Sequence, residues 1–160
     1  GANFLAEAVK HDEIDRAILR ELQADGRISV QELSQRVGLS PSPCARRIRM
    51  LEEDGIITGY HALIDEAKAG FAFSVFVSVK LDRQVDDTLQ EFETAVRAYP
   101  EVVDCWLMTG SFDYLLRVAV GDLAEFERFL TGRLTKLPGV ASLESSIPIR
   151  RVKHTAARIA

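Results

Sequence analysis

The 160-residue sequence predicts an α+β chain in two parts, a bundle of three short helices followed by a strand, helix, strand, strand, helix, strand unit. Three observations carry that expectation. Before residue 56 the apolar residues recur at helical spacing between capping residues. At Phe71 the period switches to two. Beyond it, strand-like and helix-like stretches follow one another in the order of two helices laid on one face of a four-stranded sheet.

Asp12 is placed to cap a first helix. Glu13 and Asp15 suit the positive end of its dipole, Ile14, Ile18 and Leu22 share one face, and Asp25-Gly26 ends it. Ser29 opens a second helix, with Glu32 three residues on as in a capping box and Val30, Leu33 and Val37 on one stripe. Gly38 stops that helix. After the turn Gly38-Leu39, Ser40 is expected to cap a third helix with Pro41 at its first position, where a missing N–H is harmless. Cys44, Ile48 and Leu51 fall at i, i+4 and i+7 and so face a core, and Asp54-Gly55 closes the segment.

Residues 56–64 read as a strand and residues 65–70 as a small polar connection. The expected division is residues 1–57 for the helical domain, 58–70 for a hinge strand and linker, and 71–160 for the sheet domain. Phe71, Phe73, Val75, Val77, Val79 and Leu81 alternate with Ala72, Ser74, Phe76, Ser78 and Lys80, which is a strand with two unlike faces. Leu89, Phe92, Val96 and Tyr99 then repeat at helical spacing, and Pro100 stops that helix before a strand over 102–108. Residues 109–113 break the chain, 114–120 form a third strand, and Leu123, Phe126, Leu130 and Leu134 mark a helix that ends near Pro138-Gly139. Residues 141–149 supply the last strand, completing a ferredoxin-like βαββαβ order. The sheet face opposite the helices carries Phe76 and Trp106, and burial against a second copy is the expected solution.

Composition narrows the function. The longest nearly unbroken apolar run, 70–79, is far shorter than the roughly 18 residues of a membrane span. The first residues show no basic stretch followed by an apolar one, so a soluble, cytoplasmic chain is expected. Cys44 and Cys105 lack paired spacing, and His11, His61 and His154 are scattered, so no metal site, cofactor or catalytic constellation is expected. The net charge of −4 is unevenly spread. Residues 40–51 hold Arg46, Arg47 and Arg49 with no acid, whereas acids outnumber bases 12 to 7 over residues 71–147.

That local positive charge lies on the third helix, the position from which a helix-turn-helix presents side chains to the major groove of double-stranded DNA. Relative to Cys44, Ile48 and Leu51, a turn of about 100° per residue puts Ser42, Ala45, Arg46 and Arg49 outward with Arg47 flanking. Arginines grip guanine edges or phosphates, and Ser40 and Ser42 at the helix start suit a phosphate. The same arginines also fit the solvated face of an ordinary bundle, and the short turn and caps are what favour the groove.

Ile14-Asp15-Arg16-Ala17-Ile18-Leu19, Asp25-Gly26-Arg27-Ile28-Ser29 and Glu32-Leu33-Ser34 resemble the leucine-responsive and asparagine-responsive (Lrp/AsnC) regulators. Val37-Gly38-Leu39-Ser40-Pro41-Ser42-Pro43-Cys44, Arg47-Ile48, Leu51-Glu52 and Gly55-Ile56-Ile57-Thr58-Gly59-Tyr60 are similar to the leucine-responsive branch. The likeness continues through Met108-Thr109-Gly110-Ser111-Phe112-Asp113-Tyr114-Leu115-Leu116 and Leu137-Pro138-Gly139-Val140, so it spans nearly the whole chain.

This resemblance implies a winged helix-turn-helix, a hinge strand near residues 58–63 and an amino-acid-binding regulatory domain. It also implies homodimers that assemble further, typically to an octamer, with a small amino acid effector bound where dimers meet. The family's ligand segment falls on Thr109, Gly110, Ser111, Phe112 and Asp113. Gly110 lets backbone N–H groups approach a carboxylate, and Asp113 would receive the α-ammonium. Tyr114, Ser145 and Ser146, with Leu107 and Leu134, are the expected complement from neighbouring chains. Read without the resemblance, Gly110 to Asp113 is a hairpin turn. Related proteins often carry a second acid where Ser111 stands, which leaves the effector's identity open.

The expected function is therefore a sequence-specific regulator that answers to a small amino acid and controls amino-acid metabolism. An effector-independent architectural DNA-binding protein, or an enzyme on a ferredoxin-like domain, are the competing readings. Arg150, Arg151, Lys153 and Arg158 make the tail positive; contact with DNA wrapped round an assembly and a solvated tail are the two readings, and the solvated tail is expected.

Overall fold

The structure, a computed structural model, describes residues 10–160. The expectation about a leader in the first residues lies outside them. The chain forms two compact units, one running to Leu63 and joined by Lys153–Ala160, the other Ile64–Val152. The tail expected to belong with the sheet therefore groups with the helices.

The first unit holds α1 (Glu13–Ala24), α2 (Val30–Val37) and α3 (Pro41–Glu53). Ile18, Leu33, Cys44 and Leu51 are buried at its centre, packed round by Ile14, Leu22, Val37 and Ile48. Full burial of each large aliphatic side chain contributes about 1.5–3 kcal/mol, so these positions at helical spacing decide which face each helix turns inward. Asp12 and Asp15 form a complete capping box on α1, and Ser29 accepts from the Glu32 N–H at the start of α2. Gly38, at φ 76°, takes the left-handed conformation that turns α2 into α3.

Two expectations need correction. Ser40 occupies the cap position of α3 but its side chain makes no cap hydrogen bond. Pro43 stands at the third helical position, so one of the N–H groups a cap side chain ordinarily accepts from is missing. Residues 56–64 form no strand, because among the described residues no neighbouring strand receives their backbone groups. Leu63 and Ile64 are left exposed.

The second unit is β1 (Phe73–Leu81), α4 (Asp86–Arg97), β2 (Val102–Leu107), β3 (Tyr114–Val120), α5 (Leu123–Gly132) and β4 (Val140–Ser146). The strand order is β2-β3-β1-β4 with every neighbour antiparallel, the expected ferredoxin-like sheet. Val75, Val77, Val79 and Leu81 meet Leu116 and Val118 of β3, and Phe92, Val96, Phe126 and Phe129 of the helices close over them. The last helical stretch is shorter than expected. After Gly132 the chain changes to a single 3-10 turn, Leu134–Lys136, which buries Leu134 in this core rather than in a pocket.

The opposite face carries Phe76, Ser78, Leu115, Arg117, Trp106 and Glu144, as the strand registers require. Trp106 is 59% exposed there.

Candidate functional site

In the first unit, packing of Cys44 and Leu51 fixes the rotation of α3 and so decides which residues it presents. Ser40, Ser42, Arg46 and Arg49 are exposed, while Ala45 and Arg47 are half-buried. The arginines divide by partner. Arg16, Arg20, Arg36 and Arg47 are all ion-paired, Arg36 with Glu21 and Glu32. Arg46 and Arg49 have no ion pair among the described residues and keep their full donor sets for a ligand. Arg46 also borders an open hollow of about 500 Å³ with Lys10, His11, Met50 and Asp54.

Arg47, grouped by sequence with the groove residues, is committed inside the bundle. Its Nη1 donates to both Asp12 oxygens at 2.8 and 2.7 Å and to Asp15 Oδ1 at 3.1 Å. The Arg47 bond, followed by the Asp15 backbone N–H, holds the Asp12 carboxyl below the usual carboxylate range, and Asp12 and Asp15 raise Arg47 in return. These pairs tie the presenting helix to the start of α1.

In the second unit the 109–113 loop joins β2 to β3. Thr109, Gly110 and Ser111 are exposed, Phe112 is half-buried, and Gly110 turns the chain at φ 103°. Asp113 is buried, and both carboxylate oxygens already have partners. Leu81 N–H donates to Oδ2 at 2.7 Å, and Gln84 Nε2 donates to Oδ1. The Asp113 N–H in turn donates to Val79 O at 2.8 Å. This carboxylate anchors the loop to the end of β1.

Tyr114 is likewise in the core, stacked on Phe92 with ring centroids 4.4 Å apart and its hydroxyl donating to Glu93 at 2.7 Å. Burial, then the Glu93 bond, pushes its pKa up. Cys105, nearby on β2, is pushed up to about 11, mainly by burial.

Ser145 and Ser146 are exposed on β4, opposite Val77 and Phe76 of β1. As neighbours in a strand they point to opposite faces of the sheet. β1 lies between them and β3, a separation of about 10 Å across two strand spacings. One chain therefore does not gather Ser145 and Ser146 with the 109–113 loop.

Sequence reasoning missed Gln84, which holds Asp113 from 29 residues away, and Asp12 and Asp15, which hold Arg47. It also missed Arg20 and Gln23, which donate to the carbonyls of Ala160 and Ala157 at 3.0 and 2.9 Å.

Residues 11–58 match the family model of a winged helix-turn-helix DNA-binding domain, and residues 74–158 match that of the Lrp/AsnC ligand binding domain. The chain belongs to the Lrp/AsnC family. It is 49% identical over 141 residues to the Bkd operon transcriptional regulator of Pseudomonas aeruginosa, covering 88% of this chain and 92% of that one. It is 44% identical over 144 residues to the leucine-responsive regulatory protein of Escherichia coli, covering 90% and 88%. A transcriptional regulator of Neisseria meningitidis, solved as its L-Met complex, superposes with a TM-score of 0.88 at 38% identity, covering 92% and 95%. Like its Lrp/AsnC relatives, the chain is a transcription regulator that pairs a DNA-binding helix-turn-helix with a ligand-binding domain. Among the described residues no helix is long and apolar enough to cross a membrane.

Proposed function

We propose that this Lrp/AsnC regulator binds operator DNA through Arg46 and Arg49 of α3, with Ser40, Ser42 and Ala45 lining the approach. It answers to a small amino acid and controls genes of amino-acid metabolism in the cytoplasm. The observation that supports this most directly is the partition of arginines, since Arg46 and Arg49 alone on α3 are exposed without a carboxylate partner among the described residues. Arg47 acts through its ion pairs, setting the angle of α3.

The effector reading rests on the exposed turn at Thr109, Gly110 and Ser111 beside Phe112, where backbone N–H groups can meet an amino acid's carboxylate. Asp113 serves this site by fixing the loop's shape, because its oxygens are occupied by Leu81 and Gln84. Tyr114 supports the loop from the core. Of Ser145 and Ser146, which point to opposite faces of the sheet, Ser146 shares the open face with Phe76 and reaches a neighbouring chain's loop, so the site is completed by assembly. The exposed sheet face with Trp106 and Phe76 is the surface through which two copies pair, with dimers joining into an octamer.

A melting screen against the common amino acids tests the effector half. A ligand that binds the folded form alone raises the melting temperature with concentration. If no amino acid does so, effector control is lost and the DNA half stands by itself.

A further inference from the structure

The first unit contains a segment that the fold of its helices does not require. Lys153–Ala160 leaves the sheet unit and packs with the helices, held by Gln23 Nε2 to Ala157 O at 2.9 Å and by Arg20 Nη1 to Ala160 O at 3.0 Å. Ile159 is half-buried there. Arg20 is itself fixed by Glu13 at 3.0 Å, so one α1 side chain engages both helix and tail.

The tail's charge is one-sided. After Glu144 the sequence contains no Asp or Glu, yet it carries Arg150, Arg151, Lys153, His154 and Arg158. Lys153 and Arg158 are exposed and, like Arg27, Arg46 and Arg49 of the same unit, have no ion pair among the described residues. Of the α1 carboxylates, Glu13 is taken by Arg16 and Arg20, and Glu21, beside the tail's anchors, by Arg36.

We infer that the tail is a cationic strap of the DNA-binding unit, with Lys153 and Arg158 held out to meet backbone phosphates of double-stranded DNA flanking the site of α3. The inference rests on the DNA binding proposed for Arg46 and Arg49. α1 is the common frame: its start holds α3 through Asp12 and Asp15, and its last turns hold the tail through Arg20 and Gln23. Asp12 and Gln23 lie about 16 Å apart along the axis at 1.5 Å per residue, about half a turn of duplex. A tail tied down at Ala157 and Ala160 brings Arg158 and Lys153 to phosphates at less ordering cost than a loose tail. A strap of this kind adds affinity and no sequence preference.

The test is anisotropy titration of the full chain onto a mixed-sequence duplex, from about 50 to 200 mM salt. Each phosphate contact contributes about 0.9 to the slope of log K against log salt, so K153Q/R158Q is expected to flatten it by about 1.8 per protomer engaged. The charge-preserving K153R/R158K is expected to keep the wild-type slope. A wild-type slope in K153Q/R158Q overturns the strap and leaves the α3 site intact. Equal flattening in K153R/R158K also overturns it, because charge is then irrelevant. A wild-type protein that binds with no salt dependence overturns both the strap and the α3 reading.

Discussion

Arg47 of α3 reaches across the bundle to Asp12, its Nη1 lying 2.8 and 2.7 Å from the two carboxylate oxygens, while one of those oxygens also accepts the Asp15 N–H that caps α1. One carboxylate thus closes one helix and sets the position of another. Asp12→Asn separates the two roles, since Asn caps nearly as well but presents no charge. The unfolding temperature of the variant is expected to fall at neutral pH, and only modestly, because the pair is largely open to solvent. The pH dependence has a definite sign. Because the folded state holds Asp12 below its ordinary value of 3.8, the stabilisation is complete above that value and disappears as pH falls through the lowered one. Melting curves of wild type and variant should converge at acid pH, and a gap that persists there contradicts the charge pair.

Asp113→Ala removes the acceptor of the buried Leu81 N–H and releases Gln84. A buried donor left unsatisfied costs about 1–3 kcal/mol, so chemical denaturation of the variant should show a loss of that size. Ser111→Ala, at an exposed position, should lose almost none. Equal losses in the two variants contradict the anchoring role. Asp113→Ala is also expected to blunt the response to effector, since the 109–113 loop loses its fixed shape.

The thiols should be inert in the folded protein. Cys44 is fully buried, and burial holds the Cys105 thiol near a pKa of about 11, so neither forms appreciable thiolate at neutral pH. Alkylation followed by mass spectrometry should find slow modification at pH 7.5 and rapid modification after denaturation. Fast native labelling of Cys105 contradicts its environment.

Trp106 pairs with Leu115 on the open sheet face, away from the helices. Trp106→Glu places a charge where two copies are proposed to meet, an unfavourable burial unless it is paired. Sedimentation should show a lower mass for the variant at micromolar concentration with its helix content intact. Unchanged mass contradicts assembly through this face.

The sequence made the local rules legible and the long-range ones opaque. β1 was readable because burial alternates residue by residue, and α3 because Cys44 and Leu51 mark its inner face. Arg47 was not, since a flanking arginine looks like its neighbours until Asp12, 35 residues earlier, is brought beside it. Asp113 was hidden for the same reason, its partner Gln84 lying in a separate loop. The strand expected at 56–64 failed differently: its residues favour extended backbone, but a strand also needs an edge to pair with, and propensity says nothing about that. The opposed directions of Ser145 and Ser146 follow from the period of two alone and were open to sequence reasoning.

The most direct test of the account is the affinity of the full chain for an operator found by footprinting its own upstream region, compared across four variants. Arg46→Ala and Arg49→Ala are each expected to weaken binding by about 1–3 kcal/mol without altering the melting temperature. Arg47→Ala is expected to lower the melting temperature, because it leaves Asp12 and Asp15 unpaired. Full affinity in the double variant R46A/R49A would contradict the account, since the two exposed, unpaired arginines of α3 would then contribute nothing to DNA recognition.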